Sequence, residues 1–317
     1  MKRMLIIAAL ALALLYTARE VLYVGVRKYD TGEFGKLKHA FVDANDYEML
    51  IIGSSRAESH FHSGIIADST GLSVYNIGMT GATMPFVYTS LEAYLENSKA
   101  PKYVILNVDY HVLMDPVDSI HHFPRYFPYI GENEALYKGI SEIDPRFPYF
   151  RYLAPYSMPY FGSRYLNVAL RGFAGKPGKY DSTYVNGWSP TEQALIPIDS
   201  CDYAPYLSEG PEEIWKSMAK IDSLCKIKHA MLLVVLSPLY EKQSNAIINE
   251  KELKDRIAAF QTQTDGFLLD YSRDTLCARA GYFADPAHLN KSGAMVFSRR
   301  FAHDLNERLA IKWKNSR

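Results

Sequence analysis

Short apolar runs, each tied to a glycine or proline turn and alternating with helix-patterned segments, constrain this chain more than any other feature. Residues 47–52 break at Gly53-Ser54-Ser55, residues 74–77 break at Gly78 and Gly81, and residues 103–108 follow Pro101-Lys102. Between the second and third runs, residues 86–95 place Leu91, Tyr94 and Leu95 on one face at helical spacing. The pattern resumes after Pro211. It predicts a helix over 212–225, a buried strand over 230–236, a helix over 250–260 and a short strand over 266–269. Residues 291–309 close it as an amphipathic helix with Ala294, Phe297, Phe301 and Leu305 on the inner stripe. Short strands alternating with helices predict an α/β fold with a parallel sheet and helices on its faces.

The rhythm stops in the middle. Residues 115–206 are dense in Tyr, Phe, Pro and Gly, as in Phe123-Pro124-Arg125-Tyr126-Phe127-Pro128-Tyr129, and much of the chain's complement of 24 Tyr crowds there. This segment reads as an aromatic-rich insertion of loops and short helices lying over the sheet, within a single domain spanning 28–317. Residues 27–45 read as a polar connector. With 35 basic and 35 acidic residues the formal charge is zero, which gives no electrostatic case for nucleic acid.

Residues 1–27 read as a signal-anchor. Lys2 and Arg3 precede an unbroken apolar stretch over 4–16, and Tyr16-Thr17-Ala18 is a poor cleavage site. Apolar character returns over 21–26, so an uncleaved membrane segment is expected, with the basic end cytoplasmic and the rest outside. Cleavage would instead leave a secreted or periplasmic protein. Of three cysteines, Cys201 and Cys225 are the nearer pair for a disulfide, with Cys277 left over; their wide spacing matches no zinc pattern.

Two segments at opposite ends carry the chemistry. Gly53-Ser54-Ser55-Arg56 sits where a strand gives way to a helix, the edge at which open parallel sheets bind ligands. Asp285-Pro286-Ala287-His288 puts a carboxylate and an imidazole three residues apart, just before the last helix. A strand-end serine with a distant Asp/His pair is the raw material of a Ser-His-Asp nucleophilic site. The bland alternatives are that the serines merely cap a helix and that His288 is a surface residue. His60 and His62 read as cleft-lining or surface, and no metal or cofactor site is expected.

With these residues in view, the chain resembles the SGNH (GDSL-like) hydrolase superfamily over roughly residues 46–112 and 228–308. Gly53-Ser54-Ser55-Arg56 is similar to the first family block as a Gly-Ser-Ser variant, Asn76-Ile77-Gly78-Met79-Thr80-Gly81 to the second, and Asp285 and His288 to the last. The resemblance implies a flavodoxin-like α/β/α sandwich and ester hydrolysis or acyl transfer without a metal. It makes Ser55, His288 and Asp285 the catalytic residues, with the amides of Ser55 and Gly81 as the oxyanion hole. The family's third-block Asn has no clear counterpart in Leu106-Asn107-Val108-Asp109-Tyr110-His111, where Asn107 or His111 could substitute. Arg56, Asn76, His111 and Trp188 are candidate substrate contacts, although for most rings of the insertion a core role is the simpler reading. The expected function is that of an exported serine esterase or acyltransferase acting on O-acyl esters of a cell-envelope glycan. The alternative is a catalytically inert glycan-binding or scaffold module of the same fold.

Overall fold

The computed structural model describes residues 1–110, 113, 119–178, 183–191, 198–208 and 210–315. Helix α1 (Lys2–Arg27) leads into α2 (Gly32–Phe41). The first half of the core then runs β1 (Met49–Ile52), α3 (Ser55–His60), α4 (Ser63–Thr70), β2 (Val74–Asn76), α5 (Met84–Asn97) and β3 (Tyr103–Asn107). The middle segment contributes α6 (Glu134–Ile143), α7 (Phe147–Tyr152), α8 (Ala154–Ser157) and α9 (Ser163–Ala174). After it come α10 (Glu212–Ile227), β4 (Met231–Leu236), α11 (Glu241–Asn245), α12 (Glu250–Gln261), β5 (Leu268–Asp270) and α13 (Lys291–Asn315).

Among the described residues the sheet has five strands, all parallel, in the order β2-β1-β3-β4-β5. That is the doubly wound, flavodoxin-like order, whose switch point lies where β1 and β3 diverge at their carboxyl ends. The alternation along each strand sorts the two faces. Leu50, Ile52, Val104, Leu106, Leu232 and Val234 pack against α2, α5, α10 and α12. Met49, Ile51, Ile105, Leu233 and Val235 pack against α3, α4 and α13. Because both faces are covered, strands such as Met231–Leu236 are apolar at every position, as the parallel sheet requires. The expected inner stripe of the last helix holds: Ala294, Phe297, Phe301 and Leu305 are all buried.

Three expectations need correction. Residues 32–41 are no connector but the helix α2, which buries Phe34, Leu37 and Phe41 at helical spacing among charged neighbours. The aromatic segment lies less over the sheet than outside the helical layer, with α6 packed on α5 and α9 on α1. Its rings form their own core: Phe127 and Phe150 lie 4.7 Å apart, and Phe123 stacks on Phe150 at 5.4 Å. Cys225 and Cys277 are buried thiols, so the candidate Cys201–Cys225 disulfide is not formed.

Candidate active site

Beyond β1 the backbone turns at Gly53 with a φ of +146°. A side chain there would come within 2.8 Å of Ala57 Cβ and 2.9 Å of the Asn107 carbonyl, so only glycine fits between strand and helix. Ser54 and Ser55 then take opposite parts. Ser54 is buried as the N-cap of α3; its hydroxyl donates to Asp109 Oδ2 at 2.5 Å and accepts from the Arg56 amide at 3.3 Å. Ser55 opens to a cleft and faces His288, with Oγ 2.8 Å from Nε2.

The histidine is held from behind by its own loop. Asp285 Oδ1 accepts the amides of Ala287 at 2.8 Å and His288 at 2.9 Å, a turn that folds the carboxylate back onto the ring. His288 Nδ1 lies 2.9 Å from Oδ2 and 3.0 Å from Oδ1. Burial alone would raise the Asp285 carboxyl, but the hydrogen bond and charge of His288, with the two amides, outweigh it and hold the group below the usual range. In the tautomer that donates from Nδ1 to Asp285, Nε2 is left as the acceptor for the serine hydroxyl. Behind this loop sits His60, fully buried, its Nε2 accepting the Leu289 amide at 3.0 Å and its ring edge-on to His288 at 6.4 Å. Burial, and then the charges of Arg56 and His288, hold His60 far below its ordinary pKa, so it acts as a neutral brace.

The opposite wall is the loop after β2. Thr80, which lines the cleft with Ser55, donates its amide and hydroxyl to Glu58 Oε2 at 2.9 and 2.7 Å. Glu58 Oε1 accepts from the buried Lys36 ammonium at 2.9 Å, and the same ammonium donates to the Gly78 carbonyl. Arg125 reaches from the aromatic segment to donate to the Thr80 carbonyl at 3.0 Å and to Glu33 Oε1 at 3.0 Å, and Arg164 also pairs with Glu33. Burial works against the Glu33 carboxylate, yet the two guanidiniums hold its pKa below the usual value. Gly81 has a φ of +72° with the His121 ring against its Cα, where no side chain would fit.

Three candidate substrate contacts turn out to be framework. Arg56 is 2% exposed and donates to the carbonyls of Ser237 and Pro238, both at 2.7 Å, which ties α3 to the end of β4. Asn76 is buried and donates to the Ala57 and Phe61 carbonyls while accepting the Gly78 amide, so it clamps α3 to its own loop. Trp188 is buried, donates to the Ser59 carbonyl at 2.7 Å and stacks on His62 at 4.1 Å, which leaves no open face for a sugar. Asn107 is likewise fully buried, and its side-chain amide has no hydrogen-bond partner among the described residues. His111 lies outside the described residues. Conversely, Lys36, Glu58, Asp109 and Arg125 build the site without having been picked out as parts of it, and His60, expected to line the cleft or the surface, is instead fully buried behind the His288 loop. The one signal for Glu58 was its place on the helix three residues after Ser55.

The cleft shared by Ser55, Glu58, Thr80, Tyr184, Asp285 and His288 measures about 280 Å³. A hydroxyl, an imidazole and a carboxylate in one hydrogen-bonded line suit nucleophilic attack on an electrophilic centre. No family model matches the chain, and no curated protein is significantly similar to it. Among solved structures it is similar to a protein described as a lipolytic member of the G-D-S-L family from Desulfitobacterium hafniense DCB-2. The identity is 11% and the TM-score 0.41, over 80% of this chain and 97% of that one. At that level the likeness lends the site no support, and its reading rests on the distances above.

Proposed function

We propose that the chain is a membrane-anchored serine enzyme of the SGNH type that hydrolyses or transfers O-acyl groups. The observation that carries this reading is the line Ser55 Oγ–His288 Nε2–Asp285, drawn from residues 233 positions apart. In the reaction, Ser55 Oγ attacks the ester carbonyl carbon while its proton passes to His288 Nε2, and Asp285 stabilises the imidazolium. The oxyanion is received by the amides of Ser55, in the first turn of α3 where no intrahelical acceptor exists, and of Gly81. Collapse of the intermediate expels the alcohol, which takes the proton from His288 and leaves the acyl group on Ser55. Water or an acceptor hydroxyl then enters with His288 as base, so hydrolysis and transfer share one acyl-enzyme.

At about 280 Å³ the cleft falls just below the roughly 300–1,000 Å³ usual for ligand sites, which favours a short acyl group over a long chain. Read with residues 1–27 as anchor and 28–317 as an exported domain carrying its insertion over about 115–206, the substrate is an acylated glycan or another cell-surface polymer. The buried Asn107 favours a second reading, an inert SGNH-like module that binds glycan or scaffolds an envelope assembly, since it supplies no donor to the oxyanion beyond the two backbone amides named among the described residues. The full chain in detergent, treated with a fluorophosphonate probe and assayed on p-nitrophenyl acetate, separates the two. Labelling and turnover that vanish in Ser55→Ala support the enzyme. Labelling that persists at another serine sinks the assignment, and a folded protein with neither signal favours the binding module.

A further inference from the structure

Away from the cleft, the middle segment carries a patch of exposed apolar rings and chains. Tyr149, Tyr152, Leu153 and Tyr156 on α7 and α8, and Leu166, Leu170 and Phe173 along one face of α9, are each between 44% and 59% exposed. Scattered apolar groups are ordinary on a surface, but grouped ones mark a partner. Here Tyr149 and Tyr156 lie 5.7 Å apart, and the α9 residues recur at the i, i+4, i+7 spacing of a single stripe.

What covers this face follows from what it is bolted to. Helix α1 is long and apolar enough to cross a bilayer, and its first half stands free of the rest of the protein. It meets the domain where its apolar stretch ends: Tyr16 donates to the Tyr152 carbonyl at 2.7 Å and Arg19 to the Arg151 carbonyl at 3.1 Å. Further along, Gly25 of α1 crosses Gly172 of α9 so closely that a Cβ on Gly172 would lie 2.0 Å from the Gly25 carbonyl oxygen. The anchor is therefore held rigidly against the aromatic segment. Once residues before Tyr16 lie in lipid, Tyr149, Tyr152 and Tyr156 are brought to the lipid–water boundary, the level that tyrosine rings prefer.

We infer that the face formed by α7, α8 and the outer stripe of α9 seats the domain on the interfacial layer of a phospholipid bilayer. The inference rests on reading α1 as embedded in that bilayer. The catalytic domain then rides on the membrane in a set orientation instead of swinging from a tether.

The test uses the full chain, in a Cys201→Ser background, reconstituted in phosphatidylcholine–phosphatidylglycerol vesicles that contain lipid spin-labelled near the headgroup. An environment-sensitive fluorophore is placed at Tyr156→Cys or Leu170→Cys on the patch, at Leu10→Cys in α1, and at Ile227→Cys, an exposed apolar site on α10. The patch probes should lose emission as the Leu10 probe does, while the Ile227 probe stays bright. Patch probes as bright as Ile227 overturn the proposal, whatever Leu10 does. Quenched patch probes beside a bright Leu10 keep the surface and remove the span. Energy transfer between patch probes on two copies, without quenching by lipid, makes the face an interface between copies and also overturns it.

Discussion

The two walls of the cleft are built on different principles. The wall that bears His288 is local: six residues from Asp285 to Asn290 hold themselves through an aspartate turn and a short pairing of Phe283 with Leu289, braced by His60. The wall that bears Thr80 and Gly81 is assembled from afar. Lys36 of α2, Glu58 of α3 and Arg125 of the aromatic segment each hold a different atom of the 78–80 loop. A proton-transfer group needs one fixed partner, which a turn can supply. Amides that receive a developing charge must be aimed before the reaction, and a surface loop acquires that rigidity only from buried, charged neighbours.

The largest expected effect falls on the local wall. Ser55→Ala and His288→Ala should each cut p-nitrophenyl acetate turnover by about 10⁴ or more while leaving the melting transition in place. Wild-type turnover in either variant would remove the chemistry from this wall altogether. Next comes the distant wall. Lys36→Met leaves the Glu58 carboxylate half-buried without its cation, which should lower stability by about 3–5 kcal/mol. If the loop loses its aim, turnover should also fall by about 10²–10³. In the double variant with Glu58→Gln, denaturation should recover much of the stability but not the rate. Recovery of both would mean that the ion pair does not aim the loop.

Asp109→Asn should come third. It weakens the charged acceptor of the Ser54 hydroxyl, with an expected loss of about 1.5–3 kcal/mol in urea denaturation and a drop in kcat at unchanged KM. A change in KM alone would argue that Ser54 and Asp109 do not set the start of α3. Glu33→Gln probes the same wall through pH. The folded pKa of Glu33 is depressed, so its contribution to stability is present above the unfolded value of roughly 4.3 and is lost as pH falls through the folded value. The stability gap between wild type and variant should be widest near neutrality and close in acid; a gap that persists there would contradict the ion-pair reading. Smallest is Arg164→Ala at the solvent edge of the network, where the exposed side chain should contribute no more than about 1 kcal/mol.

The repeating pattern made much of the fold readable in advance. Strands β1 and β4 are apolar at every position, β3 at every position but its last, Asn107, and α13 keeps a clean stripe, because burial on both faces or on one writes itself into residue spacing. Helix α2 escaped because its apolar positions are interleaved with Lys36, Lys38 and His39, and a buried lysine reads as a solvent-facing one until its partner is known. The same limit explains the misplaced substrate contacts. Arg56, Asn76 and Trp188 are residue types that often meet ligands, but each is satisfied by backbone carbonyls of other elements.

What the sequence determined alone was local: a glycine-led turn from strand to helix at residues 53–55, an aspartate turn that aims His288, and the parallel α/β order. Those depend on backbone conformation and on periodicity, which neighbouring residues set among themselves. Only the tertiary structure brought Ser55, already singled out in the sequence, to the imidazole of His288. It alone set Lys36, Glu58 and Arg125 around one loop, and laid the aromatic helices against α1. Such contacts join residues tens to hundreds of positions apart. Which side chains meet there depends on how the layers pack, and no short window of sequence contains that information.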